Sequence, residues 1–109
     1  MEYLDMDQYY QDSGRPELCE KLFIESLNYI KEKGYTIELY QKKALLNHLT
    51  EMIKRDNVHK QITIEDKQIF SEIASDSIKI AKRIVDQLKN ISDEESYLLA
   101  VHFEVVKLN

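Results

Sequence analysis

The sequence predicts an all-α domain, a compact bundle of about five helices. Three observations point that way. The 109 residues include only two glycines and one proline, few for a fold rich in tight turns. Apolar residues recur at three- and four-residue steps over long stretches, the period of one helix face. Residues that start and stop helices bracket those stretches.

Residues 1–13 are acidic, carry Tyr3, Tyr9 and Tyr10, and show no helical period. They read as a flexible N-terminal arm that docks on its own domain or on a second copy. The single helical domain is expected over residues 14–109. Ser13-Gly14-Arg15-Pro16 is a helix start, with proline at the first turn, where its missing N–H costs nothing. Cys19, Leu22, Phe23, Leu27 and Ile30 form the inward stripe of the first helix. Lys31 and Lys33 suit its negative end, and Gly34 supplies the left-handed residue after it.

A second helix is expected from Thr36–Glu38 to Arg55 or Asp56, with Leu45, Leu49, Met52 and Ile53 facing inward. Asp56 to Lys60 reads as a polar loop. Thr63 is the next candidate N-cap, with Glu65 and Asp66 in the first turn and Ile69, Phe70 and Ile73 continuing the helix. Ile78, Ala81, Val85 and Leu88 make a similar stripe. Ser75-Asp76-Ser77 stands between the two stripes, and either separates a short third helix from a longer fourth or kinks a single one. Ser92 to Glu95 has the capping-box pattern, in which a serine hydroxyl and a glutamate three residues on each satisfy a free amide. The last helix follows, with Leu98, Leu99, Val101, His102 and Val105 in its apolar sector.

Composition excludes several function classes. A formal charge of −5 argues against a direct nucleic-acid surface, which normally carries a basic excess. No apolar run approaches the roughly 20 residues of a membrane span, and no signal-peptide core opens the chain, so a cytoplasmic location is expected. Cys19 has neither a disulfide partner nor a zinc-type CxxC companion. Three histidines and one cysteine in unrelated segments make a poor metal set, and no cofactor loop is visible; no metal or cofactor is expected. Without a nucleophile elbow or a glycine-rich oxyanion loop, the chain does not read as an enzyme, and no catalytic residue is assigned.

The informative residues are two histidines in patterned helical segments. At about 100° per residue, His48 and Arg55 lie within about 20° of each other, two turns apart. Glu95 and His102 repeat the same seven-residue spacing. Each histidine has apolar neighbours on its face, Leu45 and Met52 for His48, Leu98 and Val105 for His102. Read from the residues alone, such a histidine is first a partly buried structural residue, with ligand and phosphoryl acceptor as the alternatives. Arg55 is explained by the negative helix end, Glu95 by the capping box, and His59 as a solvated loop residue.

Both windows resemble the two histidine motifs of the PTS regulation domain, or PRD, found in bacterial transcriptional antiterminators and activators controlled by the sugar phosphotransferase system. The first motif is similar to an Asp-His pair opening an apolar helical stretch, with arginine seven residues after the histidine; here it reads Asn47-His48 to Arg55. The second places glutamate seven residues before a histidine and alanine two before it, matched by Glu95, Ala100, His102 and Phe103, with the aromatic displaced to Tyr97.

The resemblance covers nearly the whole chain after the arm. It implies a stand-alone PRD whose second and last helices bring His48 and His102 towards one surface, and a homodimer. It further implies that His102 and His48 accept a phosphoryl group from the phosphocarrier HPr or a sugar-specific transporter subunit, with Arg55 as phosphate contact. With no effector domain in the sequence, transcription would be regulated through protein–protein contact, possible partners including a full-length transcriptional regulator. Asn47 departs from the family's aspartate, whose carboxylate would orient the imidazole. The alternative is therefore a degenerate, unphosphorylated PRD that acts as a dimerisation or scaffold module.

Overall fold

The computed structural model describes residues 4–109. Five α-helices follow in order: α1 (Met6–Asp12), α2 (Pro16–Glu32), α3 (Leu39–Asn57), α4 (Ser75–Val85) and α5 (Glu95–Val105). Short 3₁₀ turns occupy Lys67–Phe70 and Val106–Leu108, and there is no strand among the described residues. The all-α expectation holds, and the number of helices agrees, but the set differs at two places.

The first difference is the arm. Residues 6–12 are helical, Asp5 accepts the Gln8 amide as N-cap, and Tyr10 is buried in the core with Leu4 and Tyr9 packed beside it. This part of the segment is no flexible arm; it is a docked helix, and Tyr3 lies outside the described residues. A seven-residue helix shows too few repeats for a period to stand out, and its stability comes from packing rather than propensity. The corner into α2 is closed by side chains. Asn57 donates to the Ser13 carbonyl at 2.8 Å, and the Ser13 hydroxyl donates to the Tyr10 carbonyl at 2.6 Å. Gly14 sits at φ +79°, and a Cβ there would come within 3.1 Å of the Asn57 amide nitrogen, so only glycine suits the turn.

The second difference is the segment after α3. Thr63 caps nothing, and the expected helix through Ile69 and Ile73 shrinks to one 3₁₀ turn capped by Asp66, which accepts the Gln68 amide. The reason is tertiary: the Glu94 carboxylate accepts the Ile64 amide and pairs with Lys67, holding the chain against the entrance of α5. Ile69 is left 71% exposed instead of facing inward, while Phe70 stacks on Tyr97. Ser75-Asp76-Ser77 marks a true break, because α4 starts at Ser75 after an extended Ala74.

Helices α2 and α3 behave as the local signals require. Pro16 opens α2, whose Cys19, Leu22, Phe23 and Ile30 are buried, and Gly34 at φ +78° closes it. The Tyr35 amide then returns to the Ile30 carbonyl and the Gly34 amide to that of Lys31, the pair of bonds of a Schellman ending. Helix α3 ends the same way with His59, at φ 56°, in the glycine position, Lys60 bonding back to Arg55. Its buried face is Leu45, Leu46, Leu49, Met52 and Ile53.

Helix α4 is capped from outside itself. Glu104 of α5 accepts the Ala74 amide at 3.0 Å and the Ser77 hydroxyl at 2.6 Å, and Lys107 bridges Glu104 and Asp76. Partial burial alone would raise the Glu104 pKa, but bonds from Lys107, Ser77 and Ala74 outweigh it and hold the carboxylate at about 2. Replacing Glu104 by alanine orphans a helix-start amide and the buried Ser77 hydroxyl. The expected loss is about 1–3 kcal/mol, read as a lower urea midpoint with unchanged slope. A change below about 0.5 kcal/mol would show that water replaces the carboxylate at no cost.

Candidate functional site

Helices α3 and α5 pack antiparallel, so the two seven-residue spacings interlock as one ladder. His48 meets His102 at one rung, and two turns away, about 10 Å along the axis, Arg55 meets Glu95 at the other. At the first rung His48 Nδ1 lies 3.1 Å from His102 Nε2, with ring centroids 5.0 Å apart and planes nearly perpendicular at 87°. A single proton occupies that gap, one ring donating and the other accepting. His48 Nε2, on the far side of its ring, is buried without a partner.

Both rings are kept neutral. Burial, then the neighbouring His102 ring and the Arg55 guanidinium, lower the His48 pKa from 6.5 to about 3. Burial also lowers that of His102. Neutral imidazoles retain a nitrogen lone pair at pH 7, which a nucleophile needs.

The second rung is a bidentate pair. Arg55 Nε and Nη2 each donate to Glu95 at 2.7 Å; Glu95 has no exposed surface, while the Arg55 side chain is 22% exposed. This corrects the reading of Glu95 as a capping residue. The Ser92 hydroxyl accepts only the Glu94 amide, and α5 begins at Glu95 with no side-chain cap. Because the Nε–Nη2 edge serves Glu95, the two N–H groups of Nη1 stay available to a second anion.

The ladder borders an open cleft of about 440 Å³ between α3, α5 and the segment after α3. Asn47, His48, Glu51, Arg55, Leu98 and His102 line it, with Ile62 closing one side. His102 also borders a second cleft, more apolar, with Tyr40, Val101, Val105 and Leu108. Of the motif residues, Asn47, His48, Arg55 and His102 thus gather on one face with Glu95 held behind Arg55, whereas Ala100 and Phe103 are buried in the core and Tyr97 stacks on Phe70. His59 stays apart, exposed in its loop. Glu51 and Ile62 were not foreseen; Glu51 lies three residues past His48, a helical neighbour that the seven-residue spacing passes over. No group of three or more His, Cys, Asp or Glu side chains converges to hold a metal among the described residues.

The chain is a small helical domain in which a histidine pair and an arginine–glutamate pair lie side by side between two facing helices. The family model described as PRD domain matches residues 24–106, and the chain belongs to that family, whose domains are regulatory. The crystal structure of a PRD-containing transcription regulator from Lactobacillus casei ATCC 334 has the same fold, with a TM-score of 0.84 at 22% identity, covering 98% of this chain and 96% of that one. No curated protein matches the sequence. No helix among the described residues is long and apolar enough to cross a membrane.

Proposed function

We propose that this chain is a PRD unit that accepts a phosphoryl group on histidine from phosphotransferase-system proteins, in the cytoplasm, and relays the change to a transcriptional regulator by protein–protein contact. One observation carries the reading: two neutral histidines meet at 3.1 Å beside an open cleft that also holds Arg55. In the transfer, the lone-pair nitrogen of the acceptor forms the new N–P bond. The donor's N–P bond breaks with its electron pair left on the donor nitrogen. The proton given up by the acceptor ring ends, through solvent, on that same donor nitrogen. Arg55 Nη1 is the group that would bind the transferred oxygens. His102, which borders both clefts, is the favoured acceptor over His48.

Phosphorylation adds roughly two negative charges beside an apolar strip formed by Tyr40, Val101, Val105 and Leu108. Such a strip suits a second copy of the chain, and charge placed at its edge would bias that contact. The scaffold reading also draws on specific observations. Asn47 is exposed in the cleft and is hydrogen-bonded to neither ring, and His48 offers the cleft no free nitrogen on its buried side.

The two readings separate on incubation with phosphoenolpyruvate, enzyme I and HPr, or with the cognate transporter subunit. The acceptor reading expects an acid-labile, alkali-stable mass gain of one phosphoryl group, lost in His102→Ala. Asn47→Asp should speed labelling of any His48 fraction, because a carboxylate orients the neutral ring and stabilises the positive charge that develops on it as its lone pair attacks phosphorus. A folded protein that takes no label from any of these donors would leave the scaffold role.

A further inference from the structure

The two candidate acceptors are not independent. The nitrogens that face each other, His48 Nδ1 and His102 Nε2, leave room for one proton and not for a phosphoryl group. The other nitrogen of His48 is buried and unpartnered, with no approach for an in-line donor. His48 therefore has one usable nitrogen, and His102 covers it. Charge works in the same direction. Among the described residues that line the cleft the one cation is Arg55, already neutralised by Glu95; the carboxylate Glu51 also lines it, 3.5 Å from Lys54. One phosphoryl group has the Nη1 donors to meet it. A second, at a ring whose centroid is 5.0 Å from the first, has no uncommitted cation and would face the first across a partly desolvated cleft.

We propose that His48 and His102 form a single-occupancy acceptor, taking one phosphoryl group per chain because His102 covers the one usable nitrogen of His48 and the cleft has no uncommitted cation for a second group. The site then has two states, empty and singly charged, instead of a graded series. The unmodified histidine has a role of its own. As hydrogen-bond partner it selects the tautomer of the other ring, and so decides which nitrogen keeps the lone pair. This proposal rests on the acceptor reading above, yet it is testable without any protein donor.

Potassium phosphoramidate phosphorylates accessible histidines directly, ammonia departing with the electron pair of the broken P–N bond and with the proton lost by the ring. The full chain would be used as His59→Asn, which removes the exposed histidine; asparagine tolerates the φ of 56° there. Phosphohistidine would be counted by phosphorus NMR and intact mass, and located by peptide mapping. The expected plateau is one phosphoryl group per chain on the His48–His102 pair. With His102→Ala added, His48 should go from unlabelled to fully labelled, since its covered nitrogen is then open. A plateau of two overturns the proposal, as does a pair that takes none. A folded His102→Ala protein in which His48 stays inert also overturns it, because burial and not the partner would then be the block. If that variant fails to fold, the plateau in His59→Asn alone decides. Labelling by phosphoramidate with none from phosphocarriers would leave single occupancy standing and remove the signalling reading instead.

Discussion

Arg55→Ala should cost the domain about 3–5 kcal/mol, because it strands a fully buried carboxylate. Glu95 has no exposed surface, and its two oxygens are both taken by Arg55 at 2.7 Å. The reverse change is expected to be milder. Glu95→Gln leaves a cation whose side chain is 22% exposed to the cleft and so reaches water, at a cost of about 1–2 kcal/mol. The double change Arg55→Met with Glu95→Leu removes both charges together and should recover most of what the arginine change loses. Urea unfolding of the four proteins tests that order of stabilities. An Arg55→Ala protein within about 0.5 kcal/mol of the parent would mean that Glu95 finds water or another donor. The asymmetry also bears on phosphorylation assays, where Arg55→Lys is the better probe of the phosphate contact because it retains a cation for Glu95.

Acidification from pH 7 should destabilise the fold well before carboxylates titrate. His48 is held at about 3 in the folded state against 6.5 for a free ring, so between those values the unfolded chain binds a proton that the folded chain refuses. Stability therefore rises with pH across that window, is complete above about 6.5, and is withdrawn as pH falls towards 3. The full depression corresponds to at most about 5 kcal/mol, shared within the histidine pair, since His102 is shifted the same way. Glu104, depressed to about 2, adds an acid-side loss only below its unfolded value of 4.5. The slope between pH 6.5 and 4.5 thus reports the histidines. Urea midpoints at pH 7, 5.5 and 4.5 should fall steadily in the parent and stay nearly level in His48→Gln/His102→Gln. An equal fall in both would place the effect elsewhere.

Helices α2 and α3 were legible because their signals are local. Pro16, Gly34 and the apolar stripes of Cys19 to Ile30 and Leu45 to Ile53 act within a turn or two of the backbone they shape. The histidine face was legible for the same reason: a seven-residue spacing returns to one side of a helix whatever surrounds it. The glutamate was harder. Ser92 and Glu95 satisfy the capping pattern by spacing, but a carboxylate aligned with a guanidinium on a facing helix gains two charge-assisted bonds, more than one bond to its own backbone.

By itself the sequence determined that this protein is helical, where its two longest helices begin and end, and that His48, Arg55, Glu95 and His102 stand on helix faces at matched spacing. Only the tertiary structure decided that α3 and α5 run antiparallel, so that those spacings become a ladder in which His48 meets His102 and Arg55 meets Glu95. It also decided that residues 6–12 form a docked helix, that the stretch after α3 is held by Glu94, and that Glu104 caps α4. In each case the deciding partner lies some thirty or more residues away along the chain or on another helix. Local propensity governs how a segment winds; which charges and caps it meets is set by how the wound segments pack.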